Sequence, residues 1–255
     1  MNIFNQLAKS LYSPKSISHY RFQGIGKTIS FVAFLTLLSV IPSFVKLQSV
    51  LTNGVNYALE TIDQKIPNFT IKNGQLHSDH NDPVTINRGE VTILIDPTGS
   101  VETDDIENSH YTIALLVNDL VIVTKGEVQT YPYSRVNNLH LTKAKLYEFV
   151  NTIDSSLLII VLLIFLVIYL FSLGIKFVEI TFLALIGNLI KNGTNRKLAF
   201  RQGWRISAYC VALPTLFFMF MTALNINVPF GFYIYWIVGI IVLLLVIKEI
   251  PQVKI

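Results

Sequence analysis

The sequence predicts an integral membrane α-helical bundle of about four spans, with N and C termini cytoplasmic, carrying an extracytoplasmic α+β domain that contains an antiparallel sheet. Three observations predict it. Of the 255 residues, 52% are hydrophobic and only 14% charged, against roughly a quarter charged in soluble domains, and that apolar excess requires lipid. The apolar residues gather into long uncharged runs on either side of a central stretch with strand-like alternation. The charges are segregated. Residues 1–46 hold five Lys/Arg and no acid, residues 47–154 seven basic and fourteen acidic residues, and residues 155–255 eight basic and two acidic; segment charges of +5, −7 and +6 make up the net +4. Basic flanks around an acidic centre mark a chain whose ends stay in the cytoplasm while its centre is translocated. The basic balance therefore speaks for membrane topology and against a nucleic-acid partner.

Residues 1–27 read as a cytoplasmic amphipathic segment. Ile3, Phe4, Leu7, Ala8, Leu11 and Tyr12 recur at helical spacing, and Pro14 ends the helix. The segment either lies on the inner leaflet, with Lys9, Lys15 and Arg21 toward headgroups, or packs on the cytoplasmic ends of the spans. The uncharged run Thr28 to Val45, closed by Lys46, is the first transmembrane helix (28–46), because about 18 apolar residues are just enough to cross. A cleavable signal peptide is disfavoured, since no A-x-A-like site follows. Leu47, Val50, Leu51, Ala58, Leu59, Ile62 and Ile66 then continue the helix amphipathically until Pro67 stops it.

Residues 47–154 form the expected extracytoplasmic α+β domain. Phe69 and Ile71 alternate with polar residues before Asn73-Gly74, a strong hairpin signal. Val91, Ile93 and Ile95 form one strand face, and YTIALLV, DLVIVT and EVQTYPY read as a meander turning at Asn118-Asp119 and Lys125-Gly126. The run Leu120 to Val123 has no polar face, so its strand is expected in the middle of the sheet, covered on both sides. A helical pattern returns over 141–153, capped by Thr142. The chain has one cysteine, Cys210, inside an apolar stretch, so no disulfide holds this domain, an economy that fits a bacterium.

The second transmembrane helix is 155–176. The run Phe177 to Ile190 is short for a crossing, and a crossing there would put the following basic loop outside, against the charge rule. Residues 177–205 are therefore expected to form an interfacial or re-entrant helix, or an extension of the second span, followed by a basic cytoplasmic loop. The third span is 206–224, the fourth 228–247, and 248–255 is a cytoplasmic tail. Trp204, Tyr209, Tyr233, Tyr235 and Trp236 lie near span ends, where aromatic belts form.

Few residues carry chemistry. His77, Asp79, His80 and Asp82 put four possible ligands within six residues, but the spacing matches no established metal motif and a solvated loop is the preferred reading. FQGIGKT lacks the first glycine of a phosphate loop, Arg21 standing in its place. Asp96 in DPTG lacks the second copy an aspartic protease needs, and Asp104, Asp105, Glu107 and His110 read as a solvated acidic run. Lys176 and Glu179, three apart, are placed to pair at the inner boundary, and the spans hold no other charge between their ends. Lys191, Arg196, Lys197, Arg201 and Arg205 are expected to contact anionic lipid headgroups. No cofactor is expected.

SLYSPKSI and YRFQGIGKTI near the N terminus, IPNFTIKNGQL after the first span and RQGWRISAYCVALPTL at the third resemble an uncharacterised family of Gram-positive bacterial integral membrane proteins. It is a domain of unknown function, some of whose members are labelled maltodextrin-utilisation proteins, and it is distantly similar to the Yip1-like fold. The resemblance covers essentially the whole chain and implies the topology above, with no catalytic residues.

The expected role is a multi-pass accessory or scaffold protein of the bacterial cell membrane, not an enzyme, with a sensory or binding domain outside and a membrane-protein or envelope partner. A small transporter or transporter subunit for sugar or lipid is the alternative, and an enzyme acting on envelope polymers the third.

Overall fold

The computed structural model describes residues 2–106, 111–136, 139–194 and 196–252. It divides into a helical unit, residues 1–49 with 159–255, and a sheet unit, residues 50–158.

The helical unit opens with α1 (Ile3–Tyr12) and α2 (Pro14–His19). Ser13 caps α2, its hydroxyl accepting from the Ser16 amide at 3.3 Å, with Pro14 in the first turn. After a 3-10 turn over Tyr20–Phe22, α3 runs from Ile25 to Gln64 through Pro42 without a break. Its continuation beyond the apolar run is the one the sequence predicts.

The expected interfacial segment is not a separate helix. α5 (Lys143–Thr194) is continuous over 52 residues, so residues 177–194 extend the second span's helix, and nothing in Lys176–Phe177–Val178–Glu179 breaks it. The non-helical stretch after it is correspondingly short, because α6 (Phe200–Cys210) already starts at Phe200. α6 meets α7 (Ala212–Ala223) at Val211. Pro214 has no N–H to offer the carbonyl one turn back, which accounts for the break at that point. α8 (Gly231–Lys248) closes the unit after a turn in which Asn225 and Phe230 take left-handed backbone. A Cβ at Gly231 would meet Phe218 Cε1 at 2.9 Å, so any larger residue there makes that ring shift.

The helical core joins Ile17, Tyr20, Phe31, Leu35, Ile180, Leu183, Ile206, Leu243 and Ile247 around Tyr209. The Tyr209 ring lies 4.5 Å from Tyr20 and 4.3 Å from Phe31. Its hydroxyl bridges the buried Gln6 side chain at 3.1 Å and Gln23 at 2.9 Å. A phenol has one proton, so at any moment it donates to one of these two amide oxygens. Of the two placements open to the N-terminal segment, the structure has the packed one: α1 and α2 rest on α6, α7 and α8.

In the sheet unit, β1 (Phe69–Lys72), β2 (Gln75–Ser78) and β8 (Leu141–Thr142) form an antiparallel sheet in the order β2-β1-β8. Asn73 and Gly74, both at positive φ, make the hairpin turn between β1 and β2. The second sheet has the order β3-β4-β5-β6-β7, from β3 (Val84–Arg88), β4 (Val91–Ile95), β5 (Tyr111–Leu115), β6 (Asp119–Thr124) and β7 (Glu127–Pro132). The expected antiparallel sheet is present as β2-β1-β8, while the five-stranded sheet is mixed, because β4 and β5 pair in parallel. The chain between them, 96–110, includes the short α4 (Thr103–Ile106) and is long enough to return it to the starting edge, which a tight turn cannot do. The meander β5-β6-β7 is antiparallel as predicted.

β6 lies between two strands, as its unbroken apolar run requires. Val121 and Val123 are fully buried with Leu94 and Ala114 on one face. Leu120 packs on the other, in a core of Ile62, Ile66, Phe69, Ile71, Leu76, Ile86 and Ile95, joined by Leu146 and Val150 of α5. Thr142 caps α5, its hydroxyl accepting from the Lys145 amide at 3.2 Å. Lys143 Nζ donates to the carbonyls of Asp63 and Ile66 at 3.0 and 2.8 Å, neutralising the carbonyl end of α3.

Candidate functional site

Among the described residues, four helices are long and apolar enough to cross a membrane: α3, α5, α6 with α7, and α8. Charge inside such helices is costly and marks function more often than packing. Among the described residues, the helical unit holds one ion pair within such a helix. Lys176 and Glu179 of α5 pair at 2.9 Å, each side chain 12% exposed. Lys176 Nζ also donates to Tyr235 Oη of α8 at 2.9 Å and to Thr215 Oγ1 of α7 at 3.3 Å, and the two hydroxyls lie 2.8 Å apart.

The pairing agrees with the i, i+3 spacing. Apolar helix continues on both sides of the pair within α5, and its partners come from two other apolar helices. Proton counting shows what remains. The ammonium's three protons are all engaged, whereas Glu179 Oε1 is buried with no partner among the described residues. The ion pair is thus locally neutral, with one acceptor left open.

Beside it, Tyr235 lines a hollow of about 470 Å³ with Phe218, Met221, Thr222, Ile226 and Gly231. Phe218 is shared with a second hollow of about 240 Å³, walled by Leu213, Pro214, Phe217, Ile234 and Val238. The hollows can hold an apolar chain, and Tyr235 links the first of them to the ion pair. Thr215 does not stand out in sequence, since a lone hydroxyl in an apolar helix is ordinary, and Tyr235 stands out there only as an aromatic near a span end.

The sheet unit has its own hollow of about 420 Å³, lined by Lys72, Asn73, Tyr133, Ser134, Val136 and His140. Lys145 reaches the His140 ring at 3.2 Å. The Tyr133 hydroxyl is buried without a partner among the described residues. Burial pushes its pKa up, with nearby Asp119 adding to the effect.

Residues 4–247 match the family described as protein of unknown function, DUF1189. The chain belongs to the DUF1189 family. No curated protein and no solved structure matches it. The family assignment carries no activity, and neither a maltodextrin link nor Yip1-like architecture follows from it.

The other residues singled out by sequence fall as follows in this DUF1189 chain. His77, Asp79, His80 and Asp82 are all exposed, and among the described residues no three His, Cys, Asp or Glu side chains gather as a metal site. Asp96 is fully buried and organises the following turn. Its Oδ1 accepts from the Thr98 amide at 2.8 Å, the Thr98 hydroxyl at 2.6 Å and the Gly99 amide at 3.2 Å, and its Oδ2 from the Val101 amide at 2.8 Å. Burial pushes this carboxyl up, but those hydrogen bonds outweigh it and hold the pKa below the ordinary aspartate value. Asp105 accepts from the Glu102 amide at 2.9 Å, while Glu107 and His110 lie outside the described residues.

The five basic residues divide. Lys191 Nζ donates to the Leu198 carbonyl at 2.8 Å, Arg196 to the Ile250 carbonyl, and Arg205 to the Arg21 carbonyl at 3.0 Å. Lys197 and Arg201 are exposed. Tyr209, expected near a span end, sits in the core.

Proposed function

We propose that this chain is a multi-pass protein of the bacterial cell membrane in which α3, α5, α6 with α7, and α8 cross the bilayer. Its termini face the cytoplasm, and its sheet unit stands outside as a sensory or binding module of an accessory or scaffold protein. One observation carries the membrane reading: most side chains along the apolar run of α5 are left uncovered by protein, Leu158 and Phe171 being 71% exposed. Such a run in water would aggregate, and lipid removes the cost. The charge segregation orients it. The binding role is supported by the Lys72–Tyr133–His140 hollow and by Val91, Ile113 and Tyr131, which stand exposed on one face of the five-stranded sheet. Partner capture by photo-crosslinking from position 113 in native membranes tests it. A discrete cross-linked partner, lost with Ile113→Lys, supports the module; a ladder no different from that of a position on the opposite face refutes it.

Orientation is tested by reporter fusions. Those after Ile190 and at the C terminus are expected to report cytoplasm, and one at Asn81 the outside. An outside signal after Ile190 would require a further crossing.

The Lys176–Glu179–Thr215–Tyr235 cluster favours a second reading, a small transporter or transporter subunit, because a buried ion pair bonded to Tyr235, which lines a hollow, can hold a polar solute. Uptake into reconstituted vesicles that Glu179→Gln abolishes would select this reading.

A further inference from the structure

The cytoplasm-assigned end of the helical unit is strongly basic. Residues 1–27, 191–205 and 248–255 together hold eleven Lys/Arg and one acid, Glu249. Sequence alone nominates the whole Lys191–Arg205 group for headgroup contact, but the structure sorts it. Lys191, Arg196 and Arg205 point their charges at backbone carbonyls, and Arg21 does the same toward Ser18 at 2.6 Å. These four hold the end of the unit together. Lys27, Lys197 and Arg201 are exposed and make no side-chain hydrogen bond or ion pair among the described residues.

The three free cations are accompanied by exposed aromatic rings. Arg205 ties the Tyr20–Phe22 turn to α6, and Arg201 lies one helical turn N-terminal of it on the same face. Beside these stand Phe22, 67% exposed, and Phe200, 43% exposed. Lys27 lies in the first turn of α3, where a candidate span begins. Apolar rings next to unpaired cations at the mouth of a span suit the headgroup region, where rings sit among glycerol and acyl carbons and cations meet phosphate.

We propose that Lys197 and Arg201, with Lys27 and the rings of Phe22 and Phe200, form a binding surface for anionic phospholipid. Lys191, Arg196 and Arg205 are positioning residues that build this surface without contacting lipid. The inference rests on the membrane reading above and deepens it by naming the lipid class and the residues.

Detergent-solubilised full-length protein is titrated with dioctanoyl phosphatidylglycerol, dioctanoyl phosphatidylcholine or inorganic phosphate, and bound lipid is counted by native mass spectrometry. The wild type is expected to prefer phosphatidylglycerol. Lys197→Gln with Arg201→Gln is expected to weaken it about 25-fold, at about fivefold for each surface charge, whereas Arg201→Lys keeps it. Both positions are exposed, so an unchanged thermal melt identifies the loss as binding. Equal affinity for the two lipids, an unaltered double variant, or displacement by phosphate at matching concentration would overturn the proposal. Lys197→Cys labelling with an impermeant maleimide separates the two levels, Cys210 being fully buried. Labelling of intact cells overturns the membrane orientation itself. Labelling only after lysis, without lipid preference, overturns this inference alone.

Discussion

Replacing Lys176 by methionine removes three hydrogen bonds and leaves the Glu179 carboxylate, already lacking a partner at Oε1, with no counter-charge. Each side chain is only 12% exposed, so little water is available to compensate. Breaking one side of such a pair costs about 3–5 kcal/mol, whereas replacing both charges by apolar groups of similar size is often neutral or better. Lys176→Met is therefore expected to destabilise the helical unit by about 3–5 kcal/mol. Glu179→Leu should cost less, because the ammonium keeps two hydroxyl acceptors, Thr215 and Tyr235. The double variant should return to within about 1 kcal/mol of wild type, giving a coupling energy of at least about 2 kcal/mol. The assay is equilibrium unfolding of the full-length protein in mixed micelles with increasing SDS. Additive losses, with coupling near zero, would refute the reasoning, since they would mean that water screens the pair. A double variant that is stable yet inactive in either functional assay would give the charges a role beyond packing.

Three further predictions concern the sheet unit. Val121→Asp puts an unpaired carboxylate in the fully buried face of β6 and is expected to cost several kcal/mol, abolishing amide-exchange protection over β5–β7 in the full-length protein; Ile122→Asp, at a half-buried position, should cost less, and equal effects would contradict the assigned faces. Asp96 is held below its ordinary value of about 3.9, so its contribution is complete above that value and is lost as pH falls through the folded pKa. Asp96→Asn should cost about 1.5–3 kcal/mol near neutral pH and flatten the acid limb of the stability profile; a variant parallel to wild type would dismiss the charge. His77→Ala with His80→Ala, both exposed, should leave the melt within about 0.5 kcal/mol, with or without chelator; a chelator-dependent drop in the wild type would reveal a metal site.

What the sequence made legible and what it left hidden divide along a physical line. Periodicity and charge are properties of short windows, and they located the four apolar helices, the Asn73-Gly74 turn, the β5-β6-β7 meander and the stop at Pro67. Whether 96–110 makes a turn or a crossover depends on which strand β5 meets in space, and no window contains that. The same holds for charge. Lys176 and Glu179 could be paired from their spacing, but Thr215 and Tyr235 lie 39 and 59 residues from Lys176. Within the basic loop, Lys191 and Lys197 are indistinguishable in sequence, yet one caps the Leu198 carbonyl and the other faces solvent. Tyr209 is the sharpest case. Its place near a span end suggested an interfacial aromatic. In the fold, its hydroxyl meets Gln6 and Gln23 from the N-terminal segment, and the ring fills the centre of the core. Two glutamines in a segment that reads as amphipathic give no sign of burial until the buried phenol that needs them is known. Polar residues that seem out of place in apolar surroundings are therefore best interpreted in pairs. Here, one such set closes the core around Tyr209, and the Lys176–Glu179 pair leaves Glu179 Oε1 buried with no partner among the described residues.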